Sequence, residues 1–192
     1  MKSSALKRLV MPKILTKFVD FARENDKVTQ QGLEAALHIM LATCHGHGNL
    51  AQLVKSGAVH ELIELGLSQL PSDNKNATEL VLGILRQLCS RADGGAELLS
   101  HAARIAMVTE KIITAVSPAA DDMALEILTE VFRFLARGGV VREMVRVGTV
   151  GKLRQLIQSR CSLALKEKAK DILRTHFCVW KNSHCVGVPT LI

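Results

Sequence analysis

The sequence predicts an all-α superhelical solenoid of about four repeats, each burying its apolar face against the next. The first observation behind this is a helical stripe written four times. Its copies are Ala36, Ile39, Met40 and Thr43; Val81, Ile84, Leu85 and Leu88; Leu128, Val131, Phe132 and Leu135; and Ala169, Ile172, Leu173 and His176. They lie 45, 47 and 41 residues apart, a spacing that stacked helical hairpins or triplets share. The second observation is that polar residues keep the same register. Glu34, Glu79, Glu126 and Glu167 share one position, and Leu41, Arg86, Arg133 and Arg174 share another, seven residues later on the same helical face. The third is a short segment that recurs beyond the stripe, as LVKSGAV, LLSHAARI and MVRVGTV. In two copies Gly57 and Gly148 stand where a left-handed residue ends a short helix; Ala102 takes that place in the other.

Taken in order, residues 5–25 read as helix, broken or restarted at Pro12, with Asp26 to Thr29 as turn and cap. A helix follows from Gln30 to Thr43. The two glycines in CHGHGN (Cys44 to Asn49) predict a loop, with helices then at Leu50–Lys55 and Ala58–Ser68. QLPSDNKN (Gln69 to Asn76) is a surface loop. The next long helix spans Ala77–Arg91 and ends near Gly94 and Gly95. Further helices are predicted at Glu97–His101, Ile105–Val116, Asp122–Arg137, Val140–Val145, Val150–Ser159 and Leu163–His176, with SPAADD and ARGG as turns. The domain so built covers 1–177. From 178 to 192 the chain loses helical period and forms an irregular tail, anchored by Trp180.

Composition fits this picture. The chain has 192 residues, 48% of them hydrophobic, enough for one continuous core, and five Phe, one Trp and no Tyr leave its interior to aliphatic side chains. No stretch reaches the roughly 18 apolar residues of a membrane span. The basic N-terminus lacks a signal peptide's apolar core, so the reading is a soluble intracellular protein. An odd cysteine count without regular spacing argues against a disulfide scaffold, and Cys89 and Cys161 read as buried free thiols.

Charge is unevenly divided. Residues 1–130 carry 13 basic and 15 acidic side chains, whereas 131–192 carry 12 and 3, so net charges of −2 and +9 make the C-terminal third the basic part. Lys166, Lys170 and Arg174 form a stripe opposite the apolar one. It reads first as a solvated face and second as a contact for an acidic protein segment. Nucleic acid fits poorly, because no aromatic residues interleave the cations.

Enzyme chemistry finds no candidate. There is no phosphate-binding glycine loop, zinc-protease motif or nucleophile elbow. Cys44, His45 and His47 lie close together, as do His176, Cys178, His184 and Cys185, but neither set has the paired spacings of a zinc site. We therefore expect no metal and no cofactor. Asp121 and Asp122 read as caps at a helix start.

Specific wording adds a family resemblance. LCSRADGGAELLSHAARIAMVTEKI (Leu88 to Ile112), EMVRVGTVGKL (Glu143 to Leu153), KEKAKDILRTH (Lys166 to His176) and VWKNSHC (Val179 to Cys185) resemble the C-terminal half of the armadillo domain of plant U-box (RING-type) ubiquitin ligases of the elicitor-responsive group. The resemblance runs over nearly the whole chain from about Pro12. One departure is His184, where the family usually carries Pro. The resemblance implies a right-handed armadillo solenoid that binds the protein substrate or regulator of a cytoplasmic ligase in defence or stress signalling. A U-box engages the charged ubiquitin-conjugating enzyme; no part of this sequence resembles one, so the chain is not expected to act alone. The alternative is a non-catalytic armadillo adaptor competing for ligase partners.

In armadillo domains the third helix of each repeat lines a concave groove. The resemblance therefore makes Glu79, Arg86, Gln87, Glu126, Arg133, Arg137, Lys170 and Arg174 candidates for the partner-binding groove. The asparagine ladder with which importin-type armadillo proteins grip extended peptides is missing from these positions. The apolar set Leu6, Leu9, Val10, Ile14, Leu15, Phe18 and Val19 also predicts self-association through the N-terminal end.

Overall fold

The computed structural model describes residues 29–45, 47–68, 74–101, 103–111, 117–134 and 138–175. Every regular element among them is an α-helix, as the stripe predicts. These are α1 (Gln30–Thr43), α2 (His47–Lys55), α3 (Ala58–Ser68), α4 (Lys75–Cys89), α5 (Ala92–Ser100), α6 (Arg104–Lys111), α7 (Pro118–Phe134), α8 (Gly138–Arg146), α9 (Thr149–Gln158) and α10 (Leu163–Thr175). After α1, two shorter helices followed by a longer one recur. The residues group into two compact units, the first ending at Ala102 and containing α1 to α5, the second beginning at Ala103 and containing α6 to α10. The readings placed on 1–28, Ala102, Leu135, Arg137, His176 and the tail fall outside the described residues, as do the side chains of Phe132 and Arg133.

In the first unit α4 is the hub. It packs on α1, α3 and α5, while α2 lies against α3, α4 and α5. The reason is its composition: Val81, Leu82, Ile84, Leu85, Leu88 and Cys89 are all buried, so apolar surface surrounds much of the helix. Asn74 caps its start, its Oδ1 accepting from the Ala77 amide at 3.0 Å, two residues before the start expected from sequence. Thr29 caps α1 in the same way, accepting from the Gly32 amide at 3.2 Å.

The second unit repeats the scheme. Helix α7 packs on α6 and α10, α9 on α8 and α10, and α6 also meets α8 and α9. Ala124, Leu125, Ile127, Leu128 and Val131 on α7, with Leu165, Ala169 and Ile172 on α10, form the interior. One polar bond crosses it: the hydroxyls of Thr109 on α6 and Thr149 on α9 meet at 2.6 Å, both buried. Removal from water strengthens such a bond and raises the cost of losing either partner. Nearby, Arg104 and Glu143 form a largely buried ion pair at 3.0 Å.

The two glycine turns are as expected. Gly57 and Gly148 have φ of 81° and 80°. Gly57 donates its amide to Val54 and its carbonyl accepts from Glu61; Gly148 does the same with Val145 and Lys152. A side chain there would cost about 1–2 kcal/mol of backbone strain.

Several further readings need correction, among them the turn expected at ARGG, whose Gly138 and Gly139 open α8. Helix α2 begins at His47, not Leu50, because Gly48 lies in the first turn and Asn49 ties it back to the Thr43 carbonyl at 3.0 Å. Gly94 and Gly95 do not end a helix but lie within α5, Gly94 because an added Cβ would run into the Leu88 carbonyl. Helix α7 starts at Pro118, with the Ser117 hydroxyl accepting from the Ala120 amide at 3.1 Å, so Asp121 and Asp122 are helical residues and not caps. Ile39 is 48% exposed; the inward face of α1 carries Leu33, Ala36, Leu37 and Met40.

Candidate protein-binding surface

A helix that turns its apolar stripe inward leaves its remaining positions at the surface, and the long helices α4, α7 and α10 carry the polar residues singled out from sequence. On α4, in the first unit, Glu79, Arg86 and Gln87 are half-buried. They border the fully buried run from Leu80 to Leu85. Glu79 and Arg86 are two turns apart and share one face.

In the second unit the sequence candidates are joined by a residue the stripe did not reveal. Lys168 of α10 reaches across to α7, its Nζ 2.5 Å from Asp122 Oδ1 and 3.0 Å from Glu126 Oε1. Burial pulls the Lys168 ammonium down, yet the bonds from Asp122 and Glu126 outweigh it and hold its pKa above the ordinary lysine value. Lys168 escaped the sequence reading because it lies off the i, i+4 row of Lys166, Lys170 and Arg174. Its clue is the acidic residue Asp122 three helices earlier, on α7.

That row is interleaved with carboxylates. Lys170 Nζ meets Glu167 Oε1 at 2.7 Å, and Arg174 Nη1 meets Asp171 Oδ1 at 3.2 Å and Glu167 Oε2 at 3.8 Å. The hydrogen bond from Lys170 lowers the Glu167 carboxyl below its usual range, with Arg174 adding to the pull. The structure therefore brings Glu126 to Lys168, and Lys170 and Arg174 to their own helix's acids. Arg133, whose side chain is not described, and Arg137 are not placed. A surface of alternating charge at fixed helical spacing suits a polar polypeptide more than a phosphate backbone.

Among the described cysteines, Cys44 and Cys89 are buried packing groups. Cys44 donates its Sγ–H to the Met40 carbonyl at 3.3 Å, and burial pushes its pKa up to about 11, leaving a neutral thiol. His45 Nδ1 lies 3.1 Å from the Ala42 carbonyl. Cys89 is buried; Cys161 is only partly so, correcting its reading, and its thiol bonds the Leu156 carbonyl at 3.3 Å. Among the described residues no helix is long and apolar enough to cross a membrane.

Comparison with known proteins agrees with this architecture. Residues 2–191 match the model of the plant U-box protein ARM repeat region. Three Arabidopsis thaliana proteins are similar. The chain is 47% identical to E3 ubiquitin-protein ligase PUB24 over 168 residues, which is 88% of this chain and 36% of that protein. It is 36% identical to E3 ubiquitin-protein ligase PUB23 over 97% of this chain and 44% of that protein. With E3 ubiquitin-protein ligase PUB22 it shares 35% identity over 84% of this chain and 37% of the relative. The chain thus spans less than half the length of the curated relatives it matches. No solved structure matches it.

Proposed function

The chain belongs to the plant U-box protein ARM repeat region family, and from that premise we propose that it is the protein-interaction module of a U-box ubiquitin ligase. It holds a protein substrate or regulator on the polar faces of its long helices, and the conjugating enzyme is engaged elsewhere, through a U-box. The observation that carries this reading is the match across residues 2–191, on helices whose outward faces are polar while their interiors are closed. Partner segments would be polar and of mixed charge, complementary to Glu79, Arg86 and Gln87 in the first unit and, separately, to Glu126, Lys170 and Arg174 in the second. Arg133 and Arg137 are proposed as further contacts of such a partner. The setting we propose is the cytoplasm, in defence or stress signalling.

The test uses the chain as bait in plant extract, beside Glu79→Lys and Arg174→Glu variants, followed by ubiquitination of the captured protein. A U-box fused ahead of the bait is supplied with ubiquitin, activating enzyme and a panel of conjugating enzymes. We expect the captured protein to be modified by the fusion only, and capture to fall in at least one charge reversal. Modification by the bare chain would mean that it carries catalytic machinery of its own. Capture without modification, by a fusion active on a control substrate, would favour the adaptor reading.

A further inference from the structure

The first unit brings together three side chains that no part of the proposed binding surface uses. His60 and Glu64 are one turn apart on α3 and so share a face. His101 follows α5 directly, in extended conformation, its amide held by the Leu98 carbonyl at 3.2 Å. This places its ring over α3. The His101 and His60 ring centroids are 4.7 Å apart at 53°, and His101 Nε2 lies 2.9 Å from Glu64 Oε1. The three residues offer one ligand atom each, all within 4.8 Å of one another.

We propose that His60, Glu64 and His101 form a zinc site. Two imidazole nitrogens and one carboxylate oxygen are a donor set that Zn²⁺ accepts, with a fourth position left for water or a side chain of a bound protein. Around a tetrahedral ion with bonds of about 2.0–2.1 Å, neighbouring ligand atoms stand roughly 3.3 Å apart. His101 Nε2 and Glu64 Oε1, at 2.9 Å, need to part by only about 0.4 Å, and His60, within 4.8 Å of both, needs a shift of the order of 1 Å, which its exposed side chain can make. The ion would sit where His101 Nε2 and Glu64 Oε1 now face each other at 2.9 Å. The His101 side chain is only 8% exposed, so one ligand is anchored in advance, while Glu64 at 50% opens the site to solvent. Imidazole donors select zinc over magnesium and calcium. Bound zinc would tie the end of α5 to α3.

The site is tested on the full chain, freed of metal by a chelator and titrated with ZnCl₂ by calorimetry, with MgCl₂ and CaCl₂ as separate arms and Co²⁺ absorption as a second readout. One zinc per chain is expected, with a tetrahedral Co²⁺ spectrum and no heat from magnesium or calcium. His60→Ala, Glu64→Gln and His101→Gln should each weaken binding by about 10–100-fold. A Cys178→Ser, His184→Ala, Cys185→Ser variant should bind as the parent does. His60 is exposed, so its variant keeps the fold, which circular dichroism verifies. Zinc binding that survives His60→Ala and Glu64→Gln, or that only the tail variant abolishes, overturns the assignment. So does the absence of binding at millimolar zinc.

Discussion

Gly94 and Gly151 show how differently one residue type can matter. At Gly94 the α4 backbone leaves no space for a Cβ, so Gly94→Ala must force Leu88 and α5 apart. We expect a loss of about 1–3 kcal/mol in urea unfolding, as for other overpacked sites. Gly151, in α9, has nothing near its Cβ position and no positive φ; Gly151→Ala should raise stability by roughly 0.5–1 kcal/mol in the same assay. Sequence alone could not separate the two, because helix propensity penalises both equally and only packing distinguishes them. Cys44 gives a pH signature. Its pKa rises from 9.0 to about 11, so between those values the folded thiol keeps a proton the unfolded one releases. Stability on this account is complete below pH 9 and declines as pH climbs to 11, by the order of 3 kcal/mol. Alkaline unfolding of Cys44→Ala should show a flatter profile across that window.

Between helices, the bond from Thr109 to Thr149 makes the sharpest expectation. Thr109→Val or Thr149→Val leaves a buried hydroxyl alone and should cost about 1–3 kcal/mol, while the double variant should return close to the parent, giving a large coupling in a double-mutant cycle. The Lys168 bridge should behave in the opposite manner. Its side chain is 38% exposed, so Lys168→Ala should cost less than about 1 kcal/mol, and that difference should shrink in molar salt. Most helices were legible because their apolar positions recur at helical spacing, as in Val81, Ile84, Leu85 and Leu88. Their ends were less so. The start of α7 was hidden because Asp121 and Asp122 resemble caps as well as Ser117 does, and Pro118 at the first position decides between them. Neither Lys168 nor His101 could be assigned from spacing, since their partners lie on other helices.

For the molecule as a whole, the family was legible in contiguous wording such as LCSRADGGAELLSHAARIAMVTEKI, and the stripe and ladders carried the fold class. The division near Ala102 was not, because the same repeat pattern runs through it. We propose that the N-terminal apolar set from Leu6 to Val19 drives self-association. Light scattering should then show a mean mass that rises with concentration and falls back in Leu9→Lys and Phe18→Lys variants; a monomer across the range would refute this. Gly94 has a mechanical consequence within the first unit. Where helices meet through side chains, a small displacement is absorbed by a change of rotamer. At Gly94, α5 meets the Leu88 peptide of α4 with no side chain between, so a push delivered at that point arrives at the other helix as translation of its backbone.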